Sequence, residues 1–147
     1  SGDLNGAAEN AGQILGLGPG LTPSCDDFLA GLVFGLKRGI GLLFNERDRM
    51  LPGFIDKFAT EIIKRAKDKT TIFSVSYLDE AARGEAPAPA WELVYAIVSK
   101  NPDEVAAASR TLVKMGETSG SDTAVGIYYG MRFLISRIEL EEIDETA

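Results

Sequence analysis

Histidine is absent from this 147-residue sequence. Its absence removes the Ser-His-Asp and Cys-His nucleophilic arrangements, a histidine general base and His-ligated zinc. Cysteine is nearly absent as well. The lone Cys25 excludes an internal disulfide and any multi-cysteine metal site, and it fits a reducing compartment, which predicts a cytoplasmic protein. Basic residues are outnumbered, 15 against 22 acidic, for a net charge of −7. That balance repels phosphate backbones, so no nucleic-acid partner is expected. No apolar run is long enough to demand a membrane span, because Phe28 to Leu36 leads directly into Lys37 and Arg38. Any chemistry must therefore rest on carboxylates, hydroxyls, Lys/Arg, backbone dipoles, a hard metal ion or a second polypeptide.

What the chain does have is a motif that occurs twice. Gly16-Leu17-Gly18-Pro19-Gly20-Leu21-Thr22-Pro23-Ser24-Cys25-Asp26-Asp27 has a fainter copy in Gly116-Glu117-Thr118-Ser119-Gly120-Ser121-Asp122. Aligned on Asp27 and Asp122, the two share Ser-x-x-Asp-x-x-x-Gly-x-x-x-Gly, with Ser24, Gly31 and Gly35 matching Ser119, Gly126 and Gly130. Each copy is a small-residue loop running into an apolar, glycine-spaced helix. Glycine inside a helix costs about 1 kcal/mol relative to alanine, and close backbone approach is the usual compensation. The spacing thus predicts two pseudo-symmetric central helices crossing through their glycines, with their loops brought near each other.

Apolar residues make up 45% of the chain, enough for one domain with a real core. Periodicity predicts an all-α fold of about seven helices spanning residues 1–147. Starting at Ser1 without an initiator Met, the chain reads as the C-terminal part of something longer. Predicted helices cover Leu4 to Leu15, Thr22 (as N-cap, with Pro23 at the first helical position) to about Gly39, and Pro52 to about Lys67. Thr70 to Arg83 follows, with a strand over Thr70 to Val75 as the competing reading. Trp91 to Ser99, a helix capped by Asn101 and running to about Met115, and Ser121 to about Glu142 complete the set. Asn45 to Pro52 reads as a charged connector. The acidic end Glu139 to Glu145 lies at a negative dipole terminus and predicts fraying there.

Helix starts carry unpaired N–H groups and a partial positive charge, so a carboxylate or phosphate is their natural ligand. Thr22, Ser24, Thr118, Ser119 and Ser121 exceed what capping alone requires. With the N–H groups of Gly18, Gly20 and Gly120 they are the candidate substrate cradle. Asp27 and Asp122, retained in both copies, are the candidate catalytic carboxylates, ahead of Asp26. Their alternatives are purely structural first-turn acids or, with Asp26, oxygen ligands for Mg²⁺. The motifs name no cofactor and no committed metal site. The first loop follows a helix and lacks a Gly-Lys-Ser/Thr end, so it is neither a dinucleotide nor a Walker fingerprint.

Gly16 to Gly31 strongly resembles the signature of the AllH-like family. Thr70-Thr71-Ile72-Phe73-Ser74, with Leu78, Ala82 and Gly84, is similar to that family's middle motif, and Gly116 to Gly126 to its late one. The resemblance covers about residues 4 to 137. Cys25 stands where members usually have glycine, and Glu117 where they often have histidine. Once labelled putative carboxylases, these proteins are associated with a subunit of oxamate carbamoyltransferase. The resemblance therefore implies transfer of a carbamoyl group between phosphate and the nitrogen of oxamate, in purine and allantoin catabolism. It also implies small anionic substrates, other subunits of a transferase complex and an oligomeric setting. Ser121-Asp122-Thr123, with Gly126 and Gly130, is also similar over a short stretch to the metal-binding helix of ADP-ribosylglycohydrolases, which implies a Mg²⁺-dependent hydrolase instead. A non-catalytic helical scaffold is the third reading.

Overall fold

The computed structural model describes residues 3–44 and 50–146, with side chains as far as Leu140. Its elements are α1 (Leu4–Ile14), α2 (Ser24–Leu43), α3 (Met50–Ala66), α4 (Ile72–Ala82), α5 (Ala88–Ser99), α6 (Pro102–Leu112) and α7 (Ser119–Thr146), and no strand occurs among the described residues. The fold is all-α, as periodicity predicted. Over Thr70–Val75 the helix prevails over the strand because Thr71 caps it, its side chain accepting from the N–H of Ser74. Residues 45–49 of the expected charged connector lie outside the described residues.

Glycine spacing on α2 and α7 organises everything else. The two helices run parallel and touch backbone to backbone. A Cβ added at Gly31 would stand 2.2 Å from the Thr123 carbonyl oxygen, and one at Gly126 would stand 2.1 Å from that of Phe28. Gly35 and Gly130 repeat the exchange against the carbonyls of Ile127 and Leu32, at 3.0 and 2.8 Å. Every one of these contacts maps onto its partner by a shift of 95 positions, the separation of Asp27 from Asp122. The seam is therefore a local two-fold, and both helix starts lie at one end of it.

The remaining helices are distributed unevenly around this pair. α3 and α4 cover α2, with α1 behind α3, while α5 and α6 pack against α7 on one side. Core side chains include Leu29, Phe34, Ile55, Ile62, Leu78, Val94, Ile127 and Leu134, each no more than 1% exposed. Burying a side chain of this size contributes on the order of 1.5–3 kcal/mol. On α4 the buried line is Ser74, Leu78 and Ala81, whereas Ile72 at its start is 78% exposed.

Several boundaries differ from expectation for identifiable reasons. α2 passes Gly39 and ends at Leu43, since Gly39 serves packing against Met131 and Leu134 rather than termination. α3 starts at Met50, which leaves Pro52 in the first turn, where its missing N–H removes no helical bond. α6 ends early, at Leu112, because the Leu112 carbonyl closes a turn with Met115 N–H and sits against Gly120. α7 starts at Ser119 and stays helical through Thr146, beyond the point where fraying was expected.

Candidate functional site

The first loop is held in shape by backbone geometry and by Asp26. Gly16, Gly18 and Gly20 adopt φ values of 78°, 111° and 103°, the left-handed region that penalises a side chain. Asp26 is 1% exposed. Its Oδ1 accepts from Gly16 N–H at 2.8 Å, and its Oδ2 accepts from the Thr70 hydroxyl. Asp26 thus ties the loop to the residues preceding α4 and has no part in a shared acidic cluster. Among the described residues no group of three or more Asp, Glu, Cys or His could hold a metal ion, so the Asp26–Asp27–Asp122 arrangement for Mg²⁺ is not formed.

Asp27 is one residue, and 100° of helix rotation, away from Asp26, and points elsewhere. The helix starts are equivalent: Asp27 N–H donates to the Pro23 carbonyl at 3.1 Å and Asp122 N–H to the Thr118 carbonyl at 3.0 Å. Thr22 is not the side-chain cap expected of it. Pro23 occupies the cap position with no side-chain bond, and the Thr22 hydroxyl instead donates to Asp27 Oδ2 at 3.0 Å. Ser119, from the other helix start, lines the same cavity as Asp27, and its Oγ lies 3.5 Å from Thr22 Oγ1. Two turns nearly a hundred residues apart in sequence therefore meet around one carboxylate.

That carboxylate is 1% exposed, and among the described residues no donor reaches its Oδ1. Burial pushes its pKa above the ordinary carboxylate value. Hydrogen bonds from Ser119 and Thr22 oppose the rise, and the negative charges of Asp122 and Asp26 add to it. Asp27 lines a cavity of about 200 Å³ with Thr22, Tyr77, Thr123, Ser119 and Gly116, closed by Pro87, Leu112, Met115 and Gly120. Tyr77 OH lies 3.2 Å from Thr123 Oγ1. Burial, then the nearby charges of Asp27 and Glu80, hold the phenol above its usual pKa against the Thr123 bond, so at neutral pH it is a neutral hydroxyl.

Four of the sequence-predicted site residues line this cavity: Asp27, Thr22, Ser119 and Gly120. Gly18, Gly20, Ser24, Thr118 and Asp122 do not. Gly18 shapes the loop, since a Cβ there would stand 2.8 Å from Ser24 N. Gly120 N–H, expected to face a ligand, is bonded to the Met115 carbonyl at 2.9 Å. Asp122 Oδ2 is buried and, among the described residues, lacks a donor. Tyr77, Thr123 and Gly116 were not anticipated. The only sequence signal for Thr123 and Gly116 is their place beside Asp122 and at the head of the second loop.

Chemically, the cavity is an acceptor site with hydroxyls at its rim. Its described lining includes no lysine or arginine, and the first-turn N–H groups of Cys25, Asp26, Asp27, Gly120 and Asp122 already have carbonyl partners. A ligand entering here meets the Asp27 side chain, one oxygen of which has no donor among the described residues, close to the positive ends of two parallel helix dipoles. A small group offering an N–H or O–H donor together with a negative end suits both features.

No solved structure is significantly similar to the chain. One family model, described as oxamate carbamoyltransferase subunit AllH, matches residues 14–131. That stretch contains both glycine loops, the α4 motif and the paired glycines of the α2–α7 seam. The chain therefore belongs to the AllH family of oxamate carbamoyltransferase subunits.

Proposed function

We propose that this chain supplies a carbamoyl-transfer enzyme with the pocket that holds the amide of its small substrate. The observation carrying this reading is Asp27, which lines the cavity and whose Oδ1 is buried with no donor among the described residues. An unsatisfied buried carboxylate oxygen costs roughly 1–3 kcal/mol or more. A ligand N–H would recover that, and a primary amide such as that of oxamate offers two. The oxamate carboxylate would then lie toward the helix starts, where the summed dipoles favour negative charge. In the transfer step the amide nitrogen bonds to the carbamoyl carbon, the carbon–oxygen bond to phosphate breaks, and the nitrogen gives up a proton. Asp27 accepts that proton, and its raised pKa makes it a stronger base than an exposed carboxylate. Ser119 and Thr22 hold the carboxylate in one orientation. Gly18, Gly20, Ser24, Thr118 and Gly120 keep the two loops in register rather than cradling an anion.

The test uses the assembled enzyme. Asp27→Asn preserves shape but removes the base, and is expected to lower kcat by about 10²-fold or more, within the range for general-base removal. Ser119→Ala is expected to lower it less. Unchanged turnover in Asp27→Asn would refute the proposed role.

A further inference from the structure

The local two-fold between α2 and α7 exposes a mismatch in how the two helices are covered. Ala30, Phe34 and Arg38 of α2 correspond, by the 95-position shift, to Val125, Tyr129 and Phe133 of α7. Ala30 and Phe34 are 1% exposed. Trp91 of α5 packs edge-on against Phe34, and Arg38 stacks on the same indole at 3.8 Å. The α7 counterparts are about half exposed, Val125 48%, Tyr129 50% and Phe133 42%, with Phe28 packing edge-on against one side of Tyr129. They recur every fourth residue, so they form one stripe along the helix, and Leu140, 56% exposed, extends it. With Tyr128 beside them, the three rings alone expose on the order of 300 Å², the size at which a patch marks an interaction site.

From Thr123 to Ile138 the only charged residues are Arg132 and Arg137, in a chain of net charge −7. Helical spacing sets them on the two flanks of the stripe. A second copy docked face to face would bring positive flanks against positive flanks, which disfavours a symmetric homodimer.

We infer that this face of α7 receives an amphipathic helix from a different subunit of the enzyme, apolar along its centre and acidic along its flanks. That helix would cover Tyr129 and Phe133 as α5 covers Phe34 and Arg38. The inference concerns a surface away from the Asp27 cavity and stands whether or not that cavity holds an amide.

The test mixes this chain with the purified companion subunits of an oxamate carbamoyltransferase. Hydrogen exchange is followed over Val125–Phe133, and affinity is measured for wild type, Phe133→Asp and Arg132→Glu. The expected result is a mixed complex that slows exchange across this stretch. Phe133→Asp should weaken it at least tenfold and Arg132→Glu severalfold, with the thermal midpoint of each isolated variant within a few degrees of wild type. Three results would overturn the inference: no mixed complex, a complex without protection of this stretch, or protection that arises only by self-association.

Discussion

One substitution, Gly→Ala, should move stability in opposite directions at two positions. Gly126 lies where α7 crosses α2, and the three atoms nearest a methyl there are all backbone: Phe28 O at 2.1 Å, Leu32 N at 2.6 Å and Gly31 C at 3.0 Å. Backbone cannot swing aside as a side chain can, so the helices would have to separate by roughly 1 Å to regain van der Waals contact. Overpacking of this kind costs about 1–3 kcal/mol or more. The intrinsic preference of helices for alanine returns about 1 kcal/mol. Because the whole seam must open, we place the net loss for Gly126→Ala at about 2 kcal/mol. Gly41 is on the same α2 helix with nothing within 4 Å of its added methyl, so Gly41→Ala keeps only the propensity gain of up to ~1 kcal/mol. In a chain of this size, 1 kcal/mol is roughly 2–4 °C. Thermal and urea unfolding of the two variants should therefore differ by roughly 6–12 °C, with wild type between them. A Gly126→Ala protein as stable as Gly41→Ala would refute the backbone-to-backbone seam.

Three further outcomes follow, two from the site and one from a helix cap away from it. Asp27 titrates higher in the folded protein than an ordinary carboxylate, so folding favours its protonated form. Its contribution is then fully present below about pH 3.8 and is lost as pH rises through the folded pKa. Asp27→Asn, which cannot ionise, should gain in melting temperature relative to wild type as pH rises from 4 to 8; parallel profiles would contradict the assignment. Thr70→Val removes a donor from the buried Asp26. It should cost about 1.5–3 kcal/mol in urea unfolding and loosen the glycine loop, read as faster amide exchange at Gly16. Asn101 caps α6, accepting from Asp103 and Glu104 N–H. Asn101→Ala should cost about 1 kcal/mol without changing catalysis.

Local patterns carried the architecture well. Glycines spaced by four implied the crossing, the doubled Ser-x-x-Asp motif implied that two loops share one end, and Asn101-Pro102 marked a helix start. Each of these is a short pattern of neighbouring residues, one of them repeated 95 positions on. Retention of Asp27 and not Asp26 in the second copy also separated two adjacent acids whose roles differ because they point 100° apart. What depends on distant partners stayed hidden. Thr22 reads as a cap from its surroundings, yet a buried carboxylate five residues on is the better use of its hydroxyl. Tyr77 reaches Thr123 across 46 positions, and nothing in the periodicity of α4 indicates that contact. The symmetry of the sequence also suggested a symmetric site, whereas α4 packs on α2 and has no counterpart on α7. The cavity consequently forms at one of the two equivalent carboxylates.

The central claim is that Asp27 Oδ1 accepts a hydrogen from a substrate amide. Calorimetric titration of the chain with oxamate and with oxalate, its counterpart lacking an N–H, addresses it directly, in wild type and in Asp27→Asn. The account predicts that wild type binds oxamate at least tenfold more tightly than oxalate, and that this preference disappears in Asp27→Asn. Equal binding of the two ligands by wild type, or a preference that survives the substitution, would contradict it.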